Sequence, residues 1–596
     1  MLSRQAAFHL IMIKPAHYDD EGYPIQWLRS AVPSNTLACL NGIAEDARKR
    51  QVLGPDTPLI ISTFDETNQR IRPDKILKSI APGDRALVAL VGVQSNQFPR
   101  AVDLASAFRK KDIPVCIGGF HVSGCLSMLP ELPDDLRNAQ SLGISLFAGE
   151  AEDGRLDIVL KDAFEGTLKP LYNFMSELPD MANQPLPILP LRQVRRNAGT
   201  MSSLDLGRGC PYQCSFCTII NVQGRKSRFR SPDDLEAIIR ENWAQNIKRF
   251  FITDDNFARN RNWEAFFDRI IALRENEQMK LRFTIQVDTL CHQIPNFIEK
   301  AKLAGVSRVF IGLENINPDS LLGAKKRQNK ITDYRAMLQA WKRLGIITTA
   351  GYIIGFPNDT KETVKRDIEI IKRELPVDVL EFFVLTPLPG SEDHQTLHKN
   401  GVWMDPDMNK YDTNHRVVHH PKMSDEEWEE AYRLAWREYY TPQHMETVMR
   451  RAVACGMTAS KVMMMMLWFF FSVRYDKVHP LEGGYFRLKF RRDRRPGFAR
   501  ESMLAFYPRF AFQTLRAHFW MGYWLVRMAA VRRRINHDPQ RKAYFDLALQ
   551  NDAGKEMDEL SLFNATRGGT QAVVKRRLED AARDHVKAAH AIKLQV

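Results

Sequence analysis

Cysteine is scarce in this chain: there are 8 in 596 residues, and Cys39, Cys116, Cys125, Cys291 and Cys455 stand alone. That scarcity excludes the disulfide framework of a small secreted protein and fits a reducing, cytoplasmic compartment. Long apolar runs are lacking as well. The richest, between Lys461 and Arg474, offers 12 residues, well short of the roughly 20 that a spanning helix needs, so no transmembrane segment is expected there. Near the N-terminus the run Phe8 to Ile13 stops at Lys14-Pro15 with no small-residue cleavage site after it. It reads as a strand, not a signal peptide. Positive charge, by contrast, is in excess: 85 Lys and Arg against 71 Asp and Glu give a net +14.

A chain of 596 residues is too long for one core, and domain sizes favour about three or four folded units. From residue 8 to about 150, short apolar runs (FHLIMI, PLIIS, RALVALVGV, IPVCIGG, ISLFAGE) alternate with polar helical stretches. This is the rhythm of a parallel, Rossmann-like sheet. Its ligand edge should lie beyond the strands' carboxyl ends, at Asp65, Ser95-Asn96, Gly118 to His121 and Gly149-Glu150. A proline-rich connector containing Pro179, Pro185, Pro187 and Pro190 follows. From Ser203 to about Gly390 six strand-helix units suggest an incomplete barrel, with Asp254-Asp255, Asp288, Glu314, Gly355 to Pro357 and Pro387 to Pro389 at its strand ends. One helix should begin at Ser231-Pro232, an N-cap followed by proline. After about residue 420 the alternation gives way to helices. The expected organisation is therefore α/β: a Rossmann-like unit over 1–165, a linker over 166–202, a partial barrel over 203–400 and a helical, basic region over 401–596.

Against the general scarcity, Cys210, Cys214 and Cys217 crowd into "GRGCPYQCSFCTIINVQG". Three thiolates at this C-x3-C-x2-C spacing after a strand can close around one corner of an iron-sulfur cluster. Structural zinc is the rival reading, but it wants four closed ligands, and only Cys291 and His292 could be recruited from elsewhere.

This motif, with Phe216 before the last cysteine and just after the first of six strands, closely resembles the radical S-adenosylmethionine (SAM) superfamily. "FITDDNF", "FIGLENI", "GYIIGFP" and "TPLPGS" reinforce the resemblance from Ser203 to Gly390. It implies a 4Fe-4S cluster on Cys210, Cys214 and Cys217, one iron left open for SAM, and an electron that cleaves SAM to a deoxyadenosyl radical. It further implies Phe216 near the adenine, Asp254 and Asp255 where relatives bind the SAM amino group through Gly-Gly-Glu, and Glu314 at the ribose. Each has a plainer alternative. The two aspartates can cap a helix, Glu314 can pair with Arg308 or Lys325, Phe216 can be core, and Gly351, Gly355 and Pro357 can merely shape a turn.

A Rossmann-like unit ahead of such a barrel is similar to the subgroup with an N-terminal cobalamin-binding-type domain, and "CIGGFHVSG" is similar to its glycine-glycine segment. That subgroup's Asp-x-His-x-x-Gly lower-ligand signature is missing, since Asp65-Glu66-Thr67-Asn68 has no histidine. Cobalamin bound without histidine ligation and a purely structural Rossmann unit both remain open, and His121 reads as a loop or core histidine. Late in the chain Arg487, Lys489, Arg491, Arg492, Arg494, Arg495, Arg500, Arg509, Arg516, Arg527, Arg532 and Arg533 interleave with aromatics such as Phe512, Phe519, Trp520 and Tyr523. An anionic membrane surface suits that pattern better than RNA, and a helix pair packed on the barrel is the alternative. The expected protein is a cytoplasmic radical SAM enzyme with peripheral contact at the inner membrane face, reduced by a flavodoxin or ferredoxin. It would methylate, cyclise or rearrange a hydrophobic small molecule. An RNA-modifying enzyme and a non-catalytic iron-sulfur protein are the alternatives.

Overall fold

The computed structural model describes residues 6–550 and 559–593, so part of the segment read as helical up to Val596 lies outside the described residues. The first strands in chain order are β1 (Phe8–Lys14), β2 (Gln26–Ser30), β3 (Leu59–Asp65), β4 (Arg85–Leu90), β5 (Val115–Gly118), β6 (Ser145–Ala148) and β7 (Leu171–Asn173). All except β2 join one parallel sheet in the order β3-β1-β4-β5-β6-β7. A strand covered by helices on both faces must be apolar throughout, and β1 (FHLIMIK) buries every residue but Lys14. Each of the five apolar runs becomes a strand of this sheet. The sixth, β7, falls inside the stretch read as connector. Three residues are too few to show a period, and β7 is fixed instead by Tyr172, whose hydroxyl donates to Asp162 at 2.7 Å. The prolines beyond it keep the chain irregular but not loose. Asn41 donates to the Ile188 carbonyl at 2.9 Å, and buried Arg230 donates to those of Gln184 and Pro185 at 3.0 and 3.1 Å.

The next strands are β8 (Met201–Leu204), β9 (Gly207–Arg208), β10 (Arg228–Phe229), β11 (Arg249–Ile252), β12 (Arg282–Val287), β13 (Val306–Glu314), β14 (Ile347–Ile354) and β15 (Val379–Val384). A second parallel sheet runs β8-β11-β12-β13-β14-β15 in sequential order, the partial barrel read from the sequence. Its centre is dry, with all eight residues of β14 buried. The helix Pro232–Ala244 starts as anticipated, with the Ser231 hydroxyl accepting from the Asp234 amide at 3.1 Å.

Helices Asp425–Tyr439, Pro442–Ala454, Ala459–Phe471, Met503–His537 and Arg567–Lys593 dominate the remainder. The apolar run after Lys461 is an ordinary core helix that buries Val462, Met463, Met466, Leu467 and Phe469. No described helix is long and apolar enough to cross a membrane. The region is not wholly helical, however. β16 (Gly484–Leu488) pairs antiparallel with β2, Trp27 opposite Arg487, and binds the last part of the chain to the first.

Candidate functional site

Immediately after β8 the chain forms the β9–β10 pair, Gly207 against Phe229 and Arg208 against Arg228, which closes residues 209–227 into a loop at the barrel mouth. Gly209 has φ +87°, and a Cβ there would stand 2.5 Å from the Lys226 carbonyl oxygen and 2.9 Å from that of Gly224. Only glycine fits such a turn. Inside the loop the Cys210 amide donates to the Gly224 carbonyl at 3.2 Å, and that of Cys217 to the Cys214 carbonyl at 3.1 Å. The Ser215 amide donates to the Ala324 carbonyl and the Ser215 carbonyl accepts from Asp393, both at 3.1 Å, so the barrel holds the loop from outside.

The three thiols lie within one another's electrostatic reach. Burial pushes the Cys210 thiol up to about 11 and the Cys217 thiol up to about 12, and the charge of Cys214 acts in the same direction on both. Gln328 Nε2 lies 3.5 Å from the Cys214 sulfur. Among the described residues no three His, Cys, Asp or Glu side chains converge on a single-ion position. Thiols that each hold a different iron of a cluster need no such convergence. The residues that would have completed a zinc site are engaged elsewhere: Cys291 is fully buried, and His292 Nδ1 lies 3.1 Å from the Thr289 carbonyl oxygen. The donor set therefore fits a cluster with three protein ligands.

The expected SAM contacts divide. Asp254 and Asp255 lie in the loop that follows β11, and their side chains meet different surroundings. Asp254 points inward and accepts from the Gly207 amide at 2.9 Å and Asn260 Nδ2 at 2.7 Å, and burial pushes its carboxyl up to about 8. It braces β9 and does not cap the turn that follows, whose N-cap is Asn256. Asp255 opens onto a cavity, through which solvent reaches it, yet the enclosing protein, and after it Asp205, push its carboxyl up to about 7.

Glu314 sits at a register slip between β13 and β14 with φ +65°, a strained conformation for a residue with a Cβ and one that clusters at functional sites. Its carboxylate pairs with Lys326, not with Arg308 or Lys325, and Lys325 pairs with Glu392 instead. Lys326 Nζ stands 5.7 Å from the centre of the Phe216 ring; burial opposes its charge, but Glu314, with Cys214 and Cys217, outweighs burial and holds it protonated. Gly312 keeps this space open, since a Cβ would come within 2.7 Å of Glu314 Oε1 and 3.0 Å of Lys326 Nζ. Phe216 also meets Phe356 edge-on at 6.5 Å. The structure thus unites Phe216, Glu314 and the thiol loop and adds Lys326 and Gln328, which sequence reasoning missed. "GAKKRQN" carries no periodicity to mark them.

A cavity of about 420 Å³ lies between the carboxyl edge of the first sheet and the barrel mouth. Met12, Leu87, Ile43, Leu156 and Val159 line its apolar end, Gly92, Gly118 and Gly119 its rim, and Asp205, Arg208 and Asp255 its polar wall. That wall is a buried ion cluster. Arg208 meets Asp205, Glu150 and Glu152, each at 2.7 Å, and Arg228 meets Glu150 at 2.5 Å, joining the two sheets' loops. His121 is a core residue, as read from the sequence: it lies 3.1 Å from the Ser95 hydroxyl and 2.8 Å from Asp135, and its ring meets that of Phe98 at a tilt, 4.4 Å between centres. Asp65 is turned into its own loop, accepting from the Thr67 amide and hydroxyl at 3.0 and 2.6 Å.

A half-open six-stranded barrel with three thiols on the loop after its first strand defines a radical SAM domain. The radical SAM superfamily pattern matches residues 204–371. That stretch is a radical SAM domain, and the chain is an enzyme that works with a 4Fe-4S cluster and SAM. Among its relatives, bacteriochlorophyllide d C-8(2)-methyltransferase of Chlorobaculum tepidum is 26% identical over 349 residues, covering 55% of this chain and 72% of that protein. Hopanoid C-2 methylase of Rhodopseudomonas palustris is 24% identical over 348 residues, covering 56% of this chain and 63% of that protein. The fold is similar to that of the radical SAM methyltransferase TsrM of Kitasatospora setae, solved with cobalamin and a [4Fe-4S] cluster bound: the TM-score is 0.50 at 16% identity, over 66% of this chain and 78% of that one.

Proposed function

We propose that this enzyme methylates a carbon of a hydrophobic small molecule, with the cluster on Cys210, Cys214 and Cys217 and cobalamin in the 420 Å³ cavity. When bound, the cluster supplies the electron that cleaves SAM and cobalamin supplies the methyl carrier. The chain's own residues bind and shelter. Phe216 offers an apolar face to the adenine, Glu314 an acceptor to the ribose hydroxyls and Asp255 a carboxylate to the SAM amino group, while Asp254 acts one step back by fixing β9. Lys326 balances the negative charge that three thiolates bring into a buried site.

The single observation that carries the cobalamin reading is the cavity's make-up. Its apolar end suits the flat base of the nucleotide tail, and its glycine rim leaves room for a bulky ring. Among the described residues that line it there is no histidine, so the lower face would be held without one. The methylases among the relatives support methyl transfer over cyclisation or rearrangement. The helices that follow the barrel favour a small molecule over RNA. A hydrophobic substrate also suits peripheral contact with the inner membrane face, and the cluster's electron would come from a flavodoxin or ferredoxin.

The test is anaerobic reconstitution with iron and sulfide, then assay with SAM and dithionite, with and without hydroxocobalamin. The expected result is about four irons per chain, deoxyadenosine or demethylated SAM as product, and both lost in Cys214→Ala. Ala89→Phe, which fills the cavity, should keep the iron and lose the corrin. Iron retained without any SAM turnover would leave only a binding protein, and corrin retention undiminished by Ala89→Phe would remove cobalamin from this cavity.

A further inference from the structure

Helix Met503–His537 runs for 35 residues, about 52 Å at 1.5 Å per residue. It touches the rest of the protein along a narrow line: Phe506, Met528 and Ile535 are buried, and Trp524 packs on Phe470 at 5.0 Å. Among the described residues the opposite side has no protein partner. There Leu504, Phe512, Leu515, Phe519, Tyr523 and Val526 recur at helical spacing and are 89, 64, 71, 68, 46 and 72% exposed. The stripe continues sideways through Phe486, which stacks on His518 at 5.3 Å, to Leu28 on β2, and these two are 58% and 55% exposed. A contiguous apolar surface of this extent marks an interaction site.

Charge identifies the partner. Arg509, Arg516, Arg527 and Arg534 follow at intervals of 7, 11 and 7 residues, which places them in one row along the edge of the stripe; the helix contains no acidic residue, although Glu501 just before it takes up Arg509 at 2.7 Å. Beside its C-terminal half a groove of about 670 Å³ is lined by Arg527, Arg533, Arg534 and His537. Glu446 in that groove takes up Arg534 at 3.0 Å and Arg450 at 2.8 Å. Arg527 lies over Trp524 at 4.9 Å, and among the described residues neither Arg527 nor Arg533 is paired with a carboxylate.

We propose that this face lies flat on an anionic lipid bilayer, with the stripe entering the acyl boundary and the arginine row and groove taking head-group phosphates. The inference rests on the peripheral contact proposed above and gives it a surface. It is independent of the reaction. Single-stranded RNA would satisfy the arginines but not Leu504, Leu515 and Val526, which offer no ring for a base to stack on. A second copy would set one arginine row against another.

The test is co-sedimentation of the full-length protein with phosphatidylcholine vesicles, with and without phosphatidylglycerol, at low and high salt. The parent should bind the anionic vesicles about tenfold or more tighter than the neutral ones, and salt should reduce the difference. Leu515→Ser/Phe519→Ser/Val526→Ser should lose about tenfold or more in vesicle binding, and Arg527→Gln/Arg533→Gln should lose mainly the preference for phosphatidylglycerol. Both variants change exposed residues and should keep the parent's melting temperature, iron content and SAM cleavage, which separates this outcome from failure of the catalytic reading. No vesicle binding by the parent would overturn the proposal. So would binding untouched by the serine substitutions, RNA binding that the serine variant retains without any lipid binding, or a dimer that the serine variant dissolves without any lipid binding.

Discussion

Replacing Glu381 by glutamine should stabilise the protein progressively as pH rises. Glu381 lies on β15 opposite Gly351, is 2% exposed, and has one carboxylate oxygen without a hydrogen-bond partner. Arg308 is close enough to oppose the effect but makes no ion pair with it, and rests its guanidinium on the Met465 sulfur at 3.5 Å. Burial wins and pushes the carboxyl from 4.5 up to about 8. Above pH 4.5 the unfolded chain gives up this proton while the folded chain keeps it until about pH 8. The unfolded state therefore binds fewer protons, and stability falls with rising pH across that window. At about 1.4 kcal/mol per pH unit, the parent should lose about 3 kcal/mol more than Glu381→Gln between pH 5 and pH 8. The amide's own misfit with Arg308, about 1–2 kcal/mol, does not change with pH. Paired thermal melts should show the melting-temperature difference widening by about 2–3 °C over this range, because the unfolding entropy of a 596-residue chain is large. A difference that stays constant would mean that Glu381 is ionised and paired in the fold, and the reasoning would be wrong.

Two further outcomes are expected. Arg208→Met leaves Asp205 and Glu152, 4% and 6% exposed, without their cation and should cost about 3–5 kcal/mol. A melt within about 1 kcal/mol of the parent would show that the cluster does not join the sheets. Gly312→Ala places a methyl group 2.7 Å from Glu314 Oε1, at the flexible end of that side chain. Folding should tolerate it, while SAM affinity measured by calorimetry should fall about tenfold, and unchanged affinity would remove Glu314 and Lys326 from the SAM site.

Both sheets were legible because their strands are apolar runs bounded by polar helices, a pattern that buried parallel strands impose locally. β7 and the β2–β16 pair were not legible. β7 is three residues long, and "QWLRS" and "GYFRL" make sense only beside each other. The thiol loop announced itself by spacing alone. Asp254 and Asp255 looked equivalent as neighbours, but the loop after β11 folds one onto Gly207 and Asn260 as a brace and leaves the other at a cavity. Lys326 was hidden because its significance lies in Glu314, which reaches it only through a bulge between two strands. The long basic helix showed its composition in sequence, whereas its single line of contact and its bare opposite side belong to tertiary structure.

The pairing of β2 with β16 sets a schedule for the ribosome. Gln26–Ser30 is synthesised roughly 450 residues ahead of Gly484–Leu488, a delay of roughly 20–90 s at 5–20 residues per second. Throughout that interval a nascent strand offers unmatched backbone amides and carbonyls to any passing chain. A product truncated before Gly484 would carry that unsealed border for its whole lifetime and would be prone to aggregate instead of working as a shorter catalyst.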